Sequence, residues 1–316
     1  MTAEQSQTGG EGGATTSKQS HVVGFVGLGT MGMGMASTLV KAGFRVQGYD
    51  LNPAAMRTFV DAGGTGVPSV AAAADGADAL VIVVVNAEQA EEVLFGAGAA
   101  EALPPGSVVL LSSTVGPAFA RHTASRLYAL GREMLDAPVS GGMVKAADGS
   151  LTIMASGHPA AFEQAQPILA PLAAQVYRVG DECGQASTVK MVNQLLAGVH
   201  IAAAAEAMAF GVKAGVDPDV LYTIISNSAG ASWMFQNRVP HMLAGDFTPL
   251  SAVEIFVKDL GIVLETGKET RFPLPLAAIA HQLFLAAAAA GLGHEDDAAV
   301  VKVFEQVAHI SVRKQP

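Results

Sequence analysis

The chain has 316 residues, half of them hydrophobic and only 15% charged, enough apolar material for two domains with cores of their own. Its 28 acidic residues outnumber 18 basic ones for a formal charge of −10, which argues against nucleic acid, since no Lys/Arg cluster is available to neutralise a phosphate backbone. Cys183 is the only cysteine, so no internal disulfide forms. The eight histidines show neither HxxxH nor a Cys/His spacing, so no metal is expected and the compartment reads as reducing, that is, cytoplasmic.

Residues 1–20, rich in Gly, Ser, Thr and Gln, lack the features of a signal or transit peptide and read as a mobile tail. His21 to Val26 then has strand composition and leads into Gly27-Leu28-Gly29-Thr30-Met31-Gly32 and a helix to about Ala42. A second strand, Phe44 to Tyr49, finishes at Asp50, and Asn52-Pro53 opens a helix as an N-cap followed by proline. Strand, glycine loop, helix, strand and acid together make the dinucleotide-binding fingerprint. Gly27 permits the tight turn, Gly29 lets the backbone approach a pyrophosphate, and Gly32 lets the helix pack on the strand. Leu28 and Met31 complete the cofactor loop. Asp50, eighteen residues after Gly32, is placed to accept hydrogen bonds from ribose hydroxyls. Its charge repels a 2′-phosphate and favours NAD, although Arg57 is near enough in sequence to meet one.

The α/β pattern continues with strands at Ala79 to Val85 and Ser107 to Leu111. Asn86 and Thr114 follow these strands, where the loops of an open parallel sheet line the ligand crevice; for Thr114, capping the next helix is an equal reading. Met134 to Val139 and Leu151 to Ser156 are two more strands, separated by a loop over residues 140–147. Ser140, Gly141 and Gly142 there offer a hydroxyl and unobstructed N–H groups, a nest suited to a carboxylate, or else a merely flexible turn. Lys145 reads most simply as a surface lysine.

Gln185 to Ala214, without proline, predicts one helix of about 45 Å, a spine between an α/β half and a helical half. Lys190 and Asn193, three apart, share a face near its start. The helix dipole and the neighbours Val189, Met191 and Val192 are expected to lower the Lys190 pKa and suit it to proton transfer, against the alternative of a surface lysine. Asp217-Pro218 repeats the cap-and-proline start. Trp233 is expected in the core, and Ser251 with Glu254 has the capping-box spacing. Lys258 lies four residues after Glu254, which makes a helix ion pair its simplest role. The run Phe272 to His294 reads as a buried or interface helix, with a membrane span the remote alternative.

Taken together, GFVGLGTMGMGMA (Gly24 to Ala36), DAPVSGG (Asp136 to Gly142) with GSLTIMASG (Gly149 to Gly157), Lys190 with Asn193, and KDLG (Lys258 to Gly261) resemble the β-hydroxyacid dehydrogenases, over nearly all of residues 22–304. The resemblance implies an α/β fold with an N-terminal doubly wound Rossmann domain (21–183) and an all-α C-terminal domain (184–316), joined by the long helix in a homodimer or homotetramer. It also implies Lys190 as catalytic acid/base, Ser140, Gly141 and Gly142 on the substrate carboxylate, Asn193 orienting substrate, Thr114 by the nicotinamide, and Lys258 reaching the cofactor or substrate. The chain departs from the family pattern at Gln194, often a second asparagine, and at Ala186, often a second glycine. The segment Gln194 to Leu264 most resembles the branch that oxidises the C2 hydroxyl of a four-carbon sugar acid with NAD. Other substrates of the family, 3-hydroxyisobutyrate and tartronate semialdehyde, are the near alternatives. A catalytically silent nucleotide-binding module is the alternative from another class, and the retained lysine speaks against it.

Overall fold

The computed structural model describes residues 21–313, so the expected tail at 1–20 lies outside the described residues. Nine strands form one sheet: β1 (Val22–Val26), β2 (Arg45–Tyr49), β3 (Thr65–Gly66), β4 (Ala79–Ile82), β5 (Val108–Leu111), β6 (Glu133–Asp136), β7 (Val139–Ser140), β8 (Leu151–Ser156) and β9 (Ala173–Gly180). The order is β3-β2-β1-β4-β5-β6-β8-β7, with β9 paired to β8. From β3 to β6 every pairing is parallel, while β8 runs antiparallel to β6 and β7. This is the doubly wound Rossmann order, whose topological switch lies between β1 and β4. β4 and β5 are buried at every position because helices cover both faces of a parallel sheet.

Three expected strands are shorter than their apolar runs. Val83, Val84 and Val85 leave the sheet after Ile82; Val84 N–H donates to Ser113 Oγ and Val85 N–H to Gln89 Oε1. The run Met134 to Val139 divides into β6 and β7 at Ala137-Pro138, since proline has no N–H for the ladder. Phe44 also stays outside β2. The segment expected as a loop over 140–147 is instead the end of β7 and a helix, Gly142–Asp148. Its last carbonyls, Ala146 O and Ala147 O, accept from Thr38 Oγ1, and an added Cβ on Gly34 would meet Ala146 Cβ at 2.9 Å. Gly34 therefore lets the first helix, Thr30–Lys41, lie directly against this short one.

Beyond β9 the chain is helical. The spine helix runs Gln185–Lys213, close to its expected bounds, and Asp217 caps Pro218–Ser226 through the N–H groups of Asp219 and Val220. Helices Trp233–Ala244, Val253–Thr270, Pro275–Ala287 and Val301–Ala308 complete this half around a core that includes Ile201, Met208, Phe235, Phe256, Leu260 and Phe284. Among the described residues two helices are long and apolar enough to cross a membrane, the spine and Pro275–Leu292. Both place residues in that core, among them Ile201 and Met208 from the first and Ala280 and Phe284 from the second.

Two local expectations fail here. Trp233 is 68% exposed, because Met234 and Phe235 take the inward positions of its helix. The Ser251/Glu254 capping box does not form: Ala252 is the N-cap, and the first N–H groups of Val253 and Glu254 donate to the carbonyls of Glu295 and Gly293. A distant backbone segment satisfies the donors that the side chains were expected to take.

Candidate active site

The glycine loop joins β1 to the first helix with the geometry its glycines require. Gly27 has φ +94°, and a Cβ there would sit 2.2 Å from Val83 O. At Gly32 a Cβ would lie 1.9 Å from Gly27 O, whereas at Gly29 it would meet nothing within 4 Å. Gly27 and Gly32 thus let backbone meet backbone, while Gly29 faces open space at the N-terminus of a twelve-residue helix with no side-chain cap. Free N–H groups at such a helix start suit an anion such as a pyrophosphate. Gly29→Ala is expected to leave stability unchanged but weaken NADH binding about tenfold or more. Gly32→Ala is expected to destabilise the fold by about 2 kcal/mol. Urea unfolding and fluorescence titration with NADH separate the two effects.

Asp50 follows β2 and holds the loop. Its Oδ2 accepts from Leu28 N–H at 2.6 Å and its Oδ1 from Asn52 N–H at 2.7 Å. Each carboxylate oxygen keeps a lone pair for a ribose hydroxyl. The Leu28 side chain is in the core, so its part is to tie the loop to Asp50, and Met31 lies half-buried on the first turn of the helix. Asn86 caps the helix Ala87–Glu91, accepting from Gln89 N–H. Thr114 caps nothing: Gly116 is the N-cap of Pro117–Ala129, with Pro117 at the first helical position.

Lys190 is only 8% exposed, which sets aside the surface-lysine alternative. Burial lowers its pKa; the negative charge of Asp259 pulls it partly back up, and Lys258 pushes it down. Of the sequence neighbours expected to desolvate it, only Met191 is itself buried. Val189 is 39% exposed and Val192 56%, since adjacent residues on a helix point to different faces. Helix Val253–Thr270, packed alongside, brings Lys258 and Asp259 to it.

The helix dipole is also offset. Asp136, at the end of β6, accepts from the N–H groups of Gly184 (2.8 Å) and Ser187 (2.9 Å) and from Ser187 Oγ (2.7 Å), and Ser156 Oγ accepts from Ala186 N–H. A buried carboxylate thus takes the place of the absent N-cap side chain of the spine helix. Burial raises the Asp136 pKa, against the donors from Ser187, Gly184 and Ser156 that lower it. Asp136 belongs to the same DAPVSGG segment as Ser140, so one stretch of chain holds the start of the spine helix and leads into the turn at Ser140 to Gly142. There Gly141 (φ +141°) is the N-cap and Gly142 (φ +72°) the first residue of the short helix, and Ser140 pairs with Thr152 of β8.

Lys258 does not pair with Glu254, whose carboxylate packs over Gly293. Its Nζ instead donates to Val85 O at 2.8 Å and Thr114 O at 3.3 Å, and lies 2.8 Å from Asp259 Oδ1. A lysine from the helical half therefore closes onto the loops after β4 and β5. Asp259 Oδ2 accepts from Gln194 Nε2 at 2.5 Å, and Gln194 Oε1 from Asn193 Nδ2 at 3.0 Å. Asp136, Gln194 and Asp259 were assigned no role from sequence. Their only signal was membership in the motifs DAPVSGG and KDLG, or adjacency to Asn193.

Residues 22–180 match the family model described as the NAD binding domain of 6-phosphogluconate dehydrogenase, and residues 184–304 the one described as NAD-binding of NADP-dependent 3-hydroxyisobutyrate dehydrogenase. The chain belongs to the 3-hydroxyisobutyrate dehydrogenase family of β-hydroxyacid dehydrogenases. It is an oxidoreductase acting on a CH–OH group with a nicotinamide dinucleotide. An L-threonate dehydrogenase of Cupriavidus necator is 56% identical over 286 residues, 90% of this chain and 96% of the relative. That of Escherichia coli K12 is 53% identical, covering 92% and 97%. A crystal structure named 3-hydroxyisobutyrate dehydrogenase, from Salmonella typhimurium, superposes with a TM-score of 0.84 at 53% identity, covering 90% of this chain and 99% of that one. At equal identity, then, family members carry two different substrate names.

Proposed function

We propose that this dehydrogenase oxidises the C2 hydroxyl of L-threonate to 2-dehydro-L-erythronate with NAD. Lys190 carries the chemistry: a buried lysine of lowered pKa, beside Lys258 and Asp259, can take the hydroxyl proton as hydride leaves C2. Bound NAD supplies the hydride acceptor. Ser140, Gly141 and Gly142 hold the substrate carboxylate, and Asn193 orients the substrate one helical turn beyond Lys190. Thr114, Asn86 and Lys258 line the cofactor side. The Asp50 carboxylate supports NAD over NADP, because a 2′-phosphate would meet a negative charge already bonded to the loop.

The choice of L-threonate rests on relatives of that name at 49–56% identity. The solved relative's name favours 3-hydroxyisobutyrate as a second reading. NADH formation at 340 nm with L-threonate, D-threonate, erythronate, 3-hydroxyisobutyrate and glycerate, run with NAD and with NADP, decides between them. A clear preference for L-threonate with NAD is the expected result; preference for 3-hydroxyisobutyrate would transfer the assignment to it. The same reading places the domain division at 183/184 and the enzyme in the cytoplasm. It also makes the enzyme a homo-oligomer, supported by large apolar side chains left exposed on the helices, such as Phe210, Leu276 and Ile279.

A further inference from the structure

Asn193, Gln194, Asp259 and Lys258 form one chain of polar contacts, and its polarity runs in a single direction. A carboxylate paired with a lysine offers acceptors only. Gln194 must therefore turn its Nε2 to Asp259 Oδ2, at 2.5 Å, which leaves its Oε1 facing Asn193. An oxygen in that position requires a donor, so Asn193 presents Nδ2 to it at 3.0 Å. The remaining group of Asn193, the acceptor Oδ1, is the one left for a ligand. Lys258, which donates to Val85 O and Thr114 O as well, anchors the far end of the chain to the strand-end loops.

We infer that Gln194 and Asp259 are positioning residues that lock Asn193 as a hydrogen-bond acceptor, so that the site selects acids carrying a second hydroxyl beside the reacting carbon. The inference rests on the dehydrogenase reading for its choice of ligand. A substrate with hydrogen or methyl in that place leaves a half-buried acceptor without a donor, and affinity falls. Without the lock, the Asn193 amide can turn and present Nδ2 to the ligand as readily as Oδ1, and the discrimination disappears. Asn193 itself supplies the contact; in this selection Gln194 and Asp259 act through it.

The test is calorimetric titration of the protein–NADH complex with L-threonate and with its 3-deoxy analogue, 2,4-dihydroxybutanoate of matching C2 configuration. The wild-type protein is expected to prefer L-threonate by about tenfold or more. In Gln194→Leu the preference should fall to near one. Asp259→Asn should reduce it similarly, because an amide at 259 both donates and accepts and lets the whole chain reverse. A purely structural role would weaken both ligands alike and leave their ratio unchanged. NADH affinity reports whether each variant is folded, and Asp259→Asn carries the test if Gln194→Leu does not fold. No preference in the wild type, no binding of either acid, or an unchanged ratio in the folded variants would overturn the inference. Turnover assays on the same samples keep the two readings apart. Preference without turnover would sink the dehydrogenase reading alone; turnover of L-threonate without preference would sink the acceptor lock alone.

Discussion

Replacing Lys190 with alanine is expected to lower kcat by about a thousandfold while leaving NADH affinity nearly unchanged. Lys190 sits on the spine helix, not on the glycine loop or Asp50 proposed to hold the dinucleotide, so the loss should fall on proton transfer. Oxidation requires the amine to be neutral before it takes the hydroxyl proton. Burial lowers its pKa, so the acid limb of the wild-type kcat profile should fall through a value below the ordinary lysine range. That limb should vanish in Lys190→Ala. The same shift affects stability. Between the lowered pKa and the ordinary lysine value the unfolded chain binds a proton that the folded chain has released, so this group makes stability rise with pH across that window. Stopped-flow hydride transfer against pH, with NADH titrated fluorimetrically, measures both parts. A variant retaining substantial turnover would remove Lys190 from the mechanism.

Asp136→Ala is expected to cost about 3 kcal/mol of stability and to lower activity as well. The substitution leaves two N–H groups at the start of the spine helix, Gly184 and Ser187, and the Ser187 hydroxyl without their acceptor in a buried place. Ser187 is one helical turn before Lys190, so fraying of this end displaces the catalytic side chain. Asp136→Asn should be much milder, since an amide oxygen can accept from both N–H groups while Ser187 Oγ turns to accept from the new NH2. Urea midpoints at constant slope, together with kcat for both variants, read the effect. Equal stability of the alanine variant and the wild type would show that the helix start is held by its packing alone.

Much of the candidate site was legible because its residues act locally. The glycines needed only the backbone contacts of a strand-to-helix turn, and Asp50 needed only to end the next strand. The spine helix and the cap-and-proline starts at Asn52 and Asp217 depend on residues within a turn of one another. Where a partner lay far along the chain, local reasoning chose the wrong one. Glu254 has the helix ion-pair spacing to Lys258, yet Lys258 turned to the distant carbonyls Val85 O and Thr114 O and to its neighbour Asp259. The Ser251 capping box lost to carbonyls more than forty residues away, at Gly293 and Glu295. Pro138 broke a strand whose apolar composition looked continuous, and Gly34 made room for a helix where a loop was expected.

By itself the sequence determined the doubly wound α/β half, the glycine loop with the acid that follows β2, and the long helix carrying Lys190 and Asn193. These follow from periodicity, backbone freedom at glycine and the spacing of a few side chains. Only the tertiary structure decided that Lys190 is buried beside Lys258 and Asp259, that Asp136 caps the spine, that Gln194 meets Asp259, and that Lys258 ties the helical half to the loops after β4 and β5. Desolvation and hydrogen bonding act through space, and the groups that supply them here lie between 48 and 173 residues from their partners.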